Sequence, residues 1–468
     1  MRYFGEYGED VIHLDEIIKK KWKIKYLLIP IGVFWAYQYL WLSDDCFITF
    51  RYISNLFAGN GLVYNAGEYV EGFTHPLWLL MLIPFNPSLE IASQVLGLLS
   101  FGAIIYLLTR SGWLAALLVV CNTEMRVWAT GGLETMSFTL LVFLSVWATL
   151  EKKKWVGWIL LAIVLTRPDG IIIAGIVLLF NWKYYKPLLL LIPLLGLRYI
   201  YYGDLLPNTY YAKEGTDFIQ GFYYVWVYIS VYISTFLLLI GFKFIKDREI
   251  SLPMAVIFAY SILFTAQVGG DFMYARFIIP VIPLVYFVIE NSLKRFKNPS
   301  LLIGVCVLVF FEISFRHNLF YDAADKHKPA FELKGITDEQ WYWSHDLGGG
   351  LNQIEYNEYV GEYLRNLFGE RKFCVLLRGQ ASLGYYANFY TCIENAGLTD
   401  KYIARLPGRG RIGHKKNATL EYMKQRGVNF VFQRAVYDKT NKQVTFKDIG
   451  VRAEIITFDD NVKSLFNK

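Results

Sequence analysis

The sequence has little charge for its length, since 19% of its residues are Asp, Glu, Lys or Arg, whereas 55% are hydrophobic and 18% are aromatic. A water-soluble globule of this size needs more polar surface, so this balance excludes one. It predicts a polytopic α-helical membrane protein. The net charge of +7 does not indicate a nucleic-acid partner, because the cations cluster in loops between apolar runs, where they set membrane topology.

Cysteine is also scarce and scattered. The five cysteines form no CxxC or Cys/His spacing, so a zinc site has little support. If the C-terminal part lies outside the cytoplasm, Cys374 and Cys392 either pair or stay free, and the sequence leaves both outcomes open. Residues 1–25 carry too many charges for a secretory signal, so we expect a cytoplasmic leader there.

Apolar runs cover residues 26–317, and ordinary charge and polar turns return in residues 318–468. We therefore expect a transmembrane domain over 26–317 and an extracytoplasmic domain over 318–468, whose alternating strand and helix patterns predict a soluble α/β fold. The positive-inside rule then gives about eleven crossings. The predicted spans are 26–42, 88–109, 113–130, 133–150, 155–166, 170–181, 187–201, 221–242, 252–268, 277–290 and 300–317. Residues 75–84 are apolar but too short to cross, which predicts a half-depth helix.

In this topology five loops emerge on the outer side, each with an acidic residue amid Gly, Pro or Tyr. They contain the pair Asp44-Asp45 and residues 131–135, 167–170, 201–213 and 269–276. Two adjacent carboxylates at a membrane boundary are costly to hold, so they indicate acid–base work or a bound cation. Residues 47–57 follow with apolar positions at helical spacing and predict an amphipathic helix in the interface. The five loops predict one shared site, although ordinary loop turns remain the alternative.

Acids, lone cations and many aromatic side chains suit a sugar ring held on aromatic faces with an anionic leaving group. A carboxylate can accept the proton of an acceptor hydroxyl, and Arg or Lys can neutralise a departing lipid phosphate. The predicted reaction moves a sugar from a polyprenyl-phosphate donor to an extracytoplasmic glycan, lipid or protein. A transporter or flippase of lipid-linked sugar is the alternative, disfavoured by the lack of an internal repeat and by charges gathered at one face.

Several motifs carry a resemblance that covers most of the chain. They are Asp44-Asp45, Phe50-Arg51-Tyr52, the stretches 60–68 and 70–78, Gly-Leu-Glu-Thr at 132–135, Arg-Pro-Asp-Gly at 167–170, and the stretches 207–213, 269–271, 397–400 and 413–416. Together they resemble the mycobacterial terminal beta-(1→2)-arabinofuranosyltransferase family. The resemblance implies a GT-C fold in the bacterial inner (plasma) membrane, with the active site and the C-terminal domain facing the periplasm. Two departures, Asp169 where the family pattern favours Glu, and Phe73-Thr74-His75 where it favours Tyr-Thr-Asn, leave the sugar and the acceptor open.

The resemblance places the catalytic carboxylate in the first outer loop, so we expect Asp44 as the base with Asp45 as its close competitor. The other aspartate would cap the following helix. The expected donor phosphate ligands are Arg276, Lys213 and Arg167, and the expected substrate-binding residues are Arg51, Glu71, His75, Asp169, Asn208, Tyr210 and Asp271. Structural roles stay open for Arg276 as an ion pair with Asp271, for Arg51 as an interface anchor, and for His75.

No metal ligand set is expected, although an acidic pair could hold a divalent cation as readily as act bare. The basic stretch 405–416 indicates either a contact with an anionic glycan or lipid headgroups, or an exposed solvated loop. Membrane lipids are the remaining expected partners.

Overall fold

The computed structural model describes residues 24–213, 215, 217–296, 304–305, 307–309, 312, 332–345, 350–408, 410, 413–432, 443–446 and 451–466. The predicted leader lies outside the described residues except for its last two positions, and so does most of the predicted span 300–317. Helices overlap each of the other ten predicted spans.

The part of the chain before residue 300 is built almost entirely of helices. Its α-helices are Leu28–Tyr37, Cys46–Phe57, Pro76–Leu82, Leu89–Ser111, Leu114–Cys121, Thr123–Trp128, Thr135–Leu150, Val156–Thr166, Gly170–Phe180, Leu191–Tyr202, Asn208–Ala212, Phe218–Val231, Arg248–Phe258 and Ile282–Phe296. Stretches of 3₁₀ helix occur at Lys25–Leu27, Ile83–Phe85, Trp182–Leu190, Ile233–Phe244 and Ile279–Val281, and a π-helix at Ala259–Ala266.

By length and composition, two helices among the described residues could cross a membrane, Leu89–Ser111 and Arg248–Ala266. The pair Phe218–Val231 and Ile233–Phe244 bends by 99° at its break and would make a third if it counts as one span. Apolar helices of 10–17 residues occupy several of the other predicted spans. The count of eleven crossings stays a prediction, because these shorter helices fall below the length that spans a bilayer without help from their flanks.

The predicted interface helix forms at Cys46–Phe57, which we call the first-loop helix. Its surroundings differ from the expectation, because every residue from Cys46 to Ile53 is buried. Phe47 contacts Tyr385 and Tyr386 of the C-terminal part, with ring centroids 5.5 and 5.3 Å apart. The face that we assigned to a membrane surface is therefore covered by protein.

The C-terminal part begins with the hairpin β1 (Glu332–Leu333) and β2 (Ile336–Thr337) and continues with the strands β3 (Cys374–Leu377), β4 (Thr391–Glu394), β5 (Phe430–Phe432), β6 (Gln443–Phe446) and β7 (Val451–Ile455). Strands β3 to β7 form a five-stranded mixed sheet in the order β4-β3-β5-β7-β6. Strands β4, β3 and β5 are parallel, and β7 and β6 continue antiparallel. The helices are Glu339–Ser344, Gln353–Phe368, Ala381–Ala387, Lys401–Ala404, Leu420–Gln425 and Asp460–Phe466.

Because side chains alternate along a strand, the two faces of this sheet pack differently. Val375 and Leu377 join the large core that continues into the membrane-side helices, whereas Cys374 and Leu376 join a smaller core with Ile403. The hairpin also contacts the helical part of the chain, because the Thr337 N–H donates a hydrogen bond to the Phe272 carbonyl at 2.7 Å. The C-terminal part thus packs on the loops that were predicted to face outward, for which we keep the name outer loops. Its predicted boundaries and its independence as a domain stay predictions.

The register of β3 against β4 determines whether Cys374 and Cys392 can form a disulfide. Val375 lies opposite Cys392 and Cys374 lies opposite Thr391, so the two thiols point to opposite faces of the sheet. Both cysteines are buried and free.

We therefore expect no disulfide between Cys374 and Cys392. Maleimide added during denaturation without reductant should label both cysteines, as read by mass spectrometry of their peptides, and prior reduction should not increase the labelling. Labelling of this pair only after reduction would contradict the register.

Candidate functional site

The two adjacent aspartates of the first loop have different surroundings. Asp44 is 5% exposed, and its carboxylate accepts hydrogen bonds from the Ala381 N–H at 2.7 Å, the Ser382 N–H at 2.9 Å and the Ser382 hydroxyl at 2.6 Å. We call the helix Ala381–Ala387 the docking helix. The first N–H groups of a helix have no partner within it, so Asp44 satisfies them and places negative charge at the positive end of the helix.

Asp45 is partly buried, and both aspartates line two adjoining cavities. Lys213, Gln380 and Glu394 line the smaller one, which we call the catalytic cavity because the two aspartates predicted to be catalytic also line it. His414 lies in the walls of both cavities and packs edge-on against the Phe272 ring. The cavities are therefore bounded on one side by the outer loops and on the other by the C-terminal part.

Burial raises the pKa of the Asp45 carboxyl above its ordinary value, and the positive charges of Lys213 and Arg276 oppose this rise. Burial also raises the pKa of Glu394 to about 7, although its carboxylate accepts hydrogen bonds from the N–H groups of Ala396 at 2.7 Å and Leu398 at 3.0 Å. The cavity thus holds acidic groups with more than usual proton affinity beside an ammonium group.

Behind the cavity, a network of buried charges is centred on Glu134. One carboxylate oxygen lies 3.3 Å from Arg167 and 3.2 Å from Arg276, and the other lies 3.5 Å from His75 Nδ1. These side chains come from four outer segments. The network therefore unites most of the loops that the topology placed on one side.

Two further acids complete the network. Asp169 lies 3.1 Å from Arg167 and accepts the Tyr260 hydroxyl at 2.6 Å, and Asp271 lies 3.6 Å from Arg276. Each arginine thus pairs with two carboxylates, and these ion pairs offset the cost of burying its charge. The charged turn at 167–170 is neutralised by these ion pairs.

The turn at Gly131 and Gly132 holds the first loop against this network. The Ser43 N–H donates to the Gly131 carbonyl at 3.0 Å, just before the aspartate pair. Gly132 has φ +78°, and a Cβ there would lie 2.8 Å from the Leu42 side chain and 3.0 Å from the Cys46 sulfur. A side chain at this position would meet both backbone strain and a clash, so the loop contact depends on glycine.

None of the seven predicted substrate-binding residues lines the catalytic cavity. His75, Asp169 and Asp271 belong to the charge network, and the other four make contacts elsewhere. Arg51 is buried, and its guanidinium donates to the carbonyls of Tyr64, Gly384 and Phe389 at 2.7 to 2.9 Å. Asn208 donates to the carbonyls of Gly397 at 2.7 Å and Leu398 at 3.1 Å. These two side chains tie the outer loops to the C-terminal part.

Glu71 forms an ion pair with Arg198 at 2.7 Å, and burial raises its pKa to about 7 against the influence of that arginine. Tyr210 is exposed and packs edge-on against Tyr211. His75 also has a second structural partner, since its Nε2 lies 2.7 Å from the Thr49 hydroxyl.

Sequence reasoning missed Gln380, Glu394, His414 and Phe272, which line the catalytic cavity. Gln380 is 7% exposed, and its side-chain oxygen has no hydrogen-bond partner among the described residues. A signal existed for His414, which belongs to a motif of the family resemblance. Nothing local marks Gln380 or Glu394, which stand next to ordinary loop and strand residues.

The described residues contain no group of three His, Cys, Asp or Glu side chains that could hold a metal ion. In the basic stretch 405–416, Arg405 pairs with Asp204 at 3.1 Å and Lys416 donates to the Leu406 carbonyl. Residues 409, 411 and 412 lie outside the described residues.

Two curated proteins match the chain, and both are named terminal beta-(1->2)-arabinofuranosyltransferase. The protein of Corynebacterium glutamicum is 25% identical over 338 residues, which are 54% of this chain and 48% of the relative. That of Mycobacterium tuberculosis is 26% identical over 318 residues, 52% of this chain and 51% of the relative. The chain thus spans about half the length of the curated relatives it matches. These matches confirm the resemblance predicted from the motifs.

No family model matches the chain, and no solved structure matches it.

The two aspartates should respond differently to substitution. Asp44→Ala leaves two N–H groups of the docking helix without a partner and should cost about 2 kcal/mol or more of stability. Asp45→Asn removes a partly buried charge and should leave stability unchanged or raised. Thermal unfolding of both variants in detergent checks this, together with protease cleavage within residues 381–432. Equal losses of stability in the two variants would contradict the assigned contacts.

Proposed function

We propose that the protein is a membrane glycosyltransferase that moves a sugar from a polyprenyl-phosphate donor to an extracytoplasmic glycan, lipid or protein acceptor. The single observation that carries the proposal is the catalytic cavity, in which the Asp45 carboxylate and the Lys213 ammonium line one small space. The names of the two relatives support the reaction class. Apolar helices of spanning length support a membrane location.

In this proposal Asp45 is the general base and Asp44 is a positioning residue. Asp44 already accepts three hydrogen bonds from the docking helix, which leaves its carboxylate committed to structure. Asp45 has the raised pKa that improves a carboxylate as a proton acceptor. This reverses the order of the two residues that the sequence suggested.

The reaction step is a displacement at the anomeric carbon of the donor sugar. The acceptor hydroxyl oxygen forms the new bond to that carbon, and its proton passes to Asp45. The bond from the anomeric carbon to the phosphate oxygen breaks, and its electron pair leaves on the polyprenyl phosphate. Lys213 then stabilises the negative charge on that phosphate.

Lys213 is the proposed phosphate ligand because it lines the cavity. Arg276 and Arg167 are engaged with Glu134, so we assign them to the wall behind the cavity and to its positive potential. Arg276 still acts on Asp45 through its charge. A phosphate ligand that is held by a buried carboxylate would have to exchange partners before binding.

On the other side of the cavity, Gln380 and Glu394 of the C-terminal part are the proposed acceptor contacts. The free side-chain oxygen of Gln380 can accept a hydrogen bond from a sugar hydroxyl. Glu394 can donate one while it keeps its proton near pH 7. The active site would then face the periplasm, since the cations of the predicted topology mark the opposite side. No feature of the described residues favours the alternative of a lipid-linked sugar transporter.

Replacing the proposed base should stop the reaction. We expect Asp45→Asn to lower kcat by about 10²-fold or more, because the acceptor proton then has no carboxylate to accept it. The measurement is transfer from a polyprenyl-phosphate sugar by purified protein in detergent. Asp204→Asn is the matched control, since this acid also lies in an outer loop but pairs with Lys401 and Arg405. Undiminished transfer in Asp45→Asn would remove the assignment.

The pH profile offers a separate test of the same carboxylate. A base works when deprotonated, so a raised pKa places the acid limb of kcat/KM above the ordinary Asp value of 3.8. Lys213→Met removes a positive charge that opposes the rise, and we expect the limb to move to still higher pH. A limb that stays in place or moves to lower pH would show that another group titrates.

Donor binding separates the proposed phosphate ligand from the structural arginine. Lys213→Ala should weaken binding of polyprenyl monophosphate by roughly tenfold with little loss of stability. Arg276→Ala should instead lower stability by about 3 kcal/mol, because it removes a partner of buried Glu134. Calorimetric binding and thermal unfolding check the two effects, with Lys401→Ala as a control. A normal affinity in Lys213→Ala would move the phosphate site elsewhere.

A further inference from the structure

A third cavity, larger than the first two, lies between the first-loop helix, the helix Gln353–Phe368 and the segment that follows the docking helix. Neither Asp44, Asp45 nor Lys213 lines it. The docking helix connects the two places, since its first turn binds Asp44 and its last turn, at Tyr385 and Tyr386, lines this third cavity. Seven helical residues span about 10 Å, so the two cavities are close neighbours.

Aromatic rings and amides make up much of the lining. Tyr385, Tyr386 and Tyr390 are all in the wall, and Tyr390 is 54% exposed although it is a large ring. Asn60 and Asn388 add amide groups, whereas the amide of Asn55 is committed to the carbonyls of Val63 and Tyr64. This combination offers flat apolar faces beside hydrogen-bonding groups, which is what a sugar ring needs on its C–H face and at its hydroxyls.

The charge in this cavity is negative. Glu90, Glu358 and Glu362 line it. Of the two arginines in the wall, Arg51 is committed to backbone carbonyls, and Arg365 lies 3.8 Å from Glu362. Burial raises the pKa of Glu358, and the negative charges of Glu90 and Glu362 raise it further, so these carboxylates lie near one another.

The carboxylates do not surround a cation position, because no group of acids suited to a metal occurs among the described residues. An anionic glycan or a phosphate headgroup would be repelled by this lining. A ligand rich in neutral hydroxyl groups can instead donate hydrogen bonds to the carboxylates and exchange them with the amides.

We propose that this cavity binds a segment of a neutral glycan, at a distance from the reacting atoms. The inference rests on the proposed function in one respect, that the glycan is part of the acceptor whose end enters the catalytic cavity. The docking helix would then align both parts of one acceptor chain. Binding energy from the remote sugars would be used to position the reacting hydroxyl.

The test measures binding to the full chain in detergent, in an Asp45→Asn background so that turnover does not consume the ligand. The probes are a neutral pentose oligosaccharide, a neutral hexose oligosaccharide, an oligosaccharide of uronic acids and a polyamine. We expect at least one neutral oligosaccharide to bind and the acidic one to be rejected. Tyr390→Ala and Glu358→Gln should each weaken the neutral ligand by roughly fivefold or more.

Tyr359→Ala and Glu370→Gln are the matched controls, since both residues are exposed nearby but do not line the cavity, and they should leave the affinity unchanged. The proposal is overturned if no neutral oligosaccharide binds, if binding is indifferent to Tyr390 and Glu358, or if the acidic probe or the polyamine binds more tightly. Transfer assays distinguish a failure of the proposed transferase function from a failure of the proposed glycan site. Full transfer by Asp45→Asn would remove the proposed base while leaving a measured glycan affinity intact, whereas Asp45-dependent transfer without that affinity would refute only this inference.

Discussion

The contact of the Asp44 carboxylate with the first turn of the docking helix is the interaction on which the site depends. It joins the loop after the first helix to a segment more than 300 residues later, with distances of 2.6 to 2.9 Å. A carboxylate at a helix N-terminus is stabilised by the positive end of the helix dipole. It also accepts hydrogen bonds from N–H groups that have no partner within the helix. Because Asp44 is held in this way, the first loop and the C-terminal part meet around the cavity that both aspartates line.

The second constraint is the burial of charge behind the cavity. Glu134 pairs with Arg167 and Arg276, and further acids balance both arginines. Removing either arginine would leave buried carboxylates without a compensating charge, so the network holds together the segments that carry its members. This arrangement explains how loops with many Gly and Pro residues can hold a fixed position behind the cavity. Because both arginines are engaged in it, the more exposed Lys213 is the cation that lines the cavity.

The structure shows where the two departures from the family pattern, at Asp169 and at residues 73–75, are located. Asp169 binds Arg167 and the Tyr260 hydroxyl, and His75 lies between Thr49 and Glu134. Both residues therefore belong to the charge network behind the catalytic cavity, and neither of them lines the cavity itself. The chain spans only about half the length of the two relatives that it matches.

The sequence by itself determined where helices form, since apolar runs of sufficient length leave few alternatives and helices overlap ten of the predicted spans. It also brought out the acidic pair, Lys213 and the lone charges of the outer loops, because charge is conspicuous in an apolar chain. The tertiary structure alone decided which aspartate binds the docking helix, since Asp44 and Asp45 are adjacent and differ only in their distant partners. It alone also placed Gln380 and Glu394 at the cavity and turned Arg51 and Asn208 into structural ties, because such contacts join residues far apart in the chain and leave no local pattern.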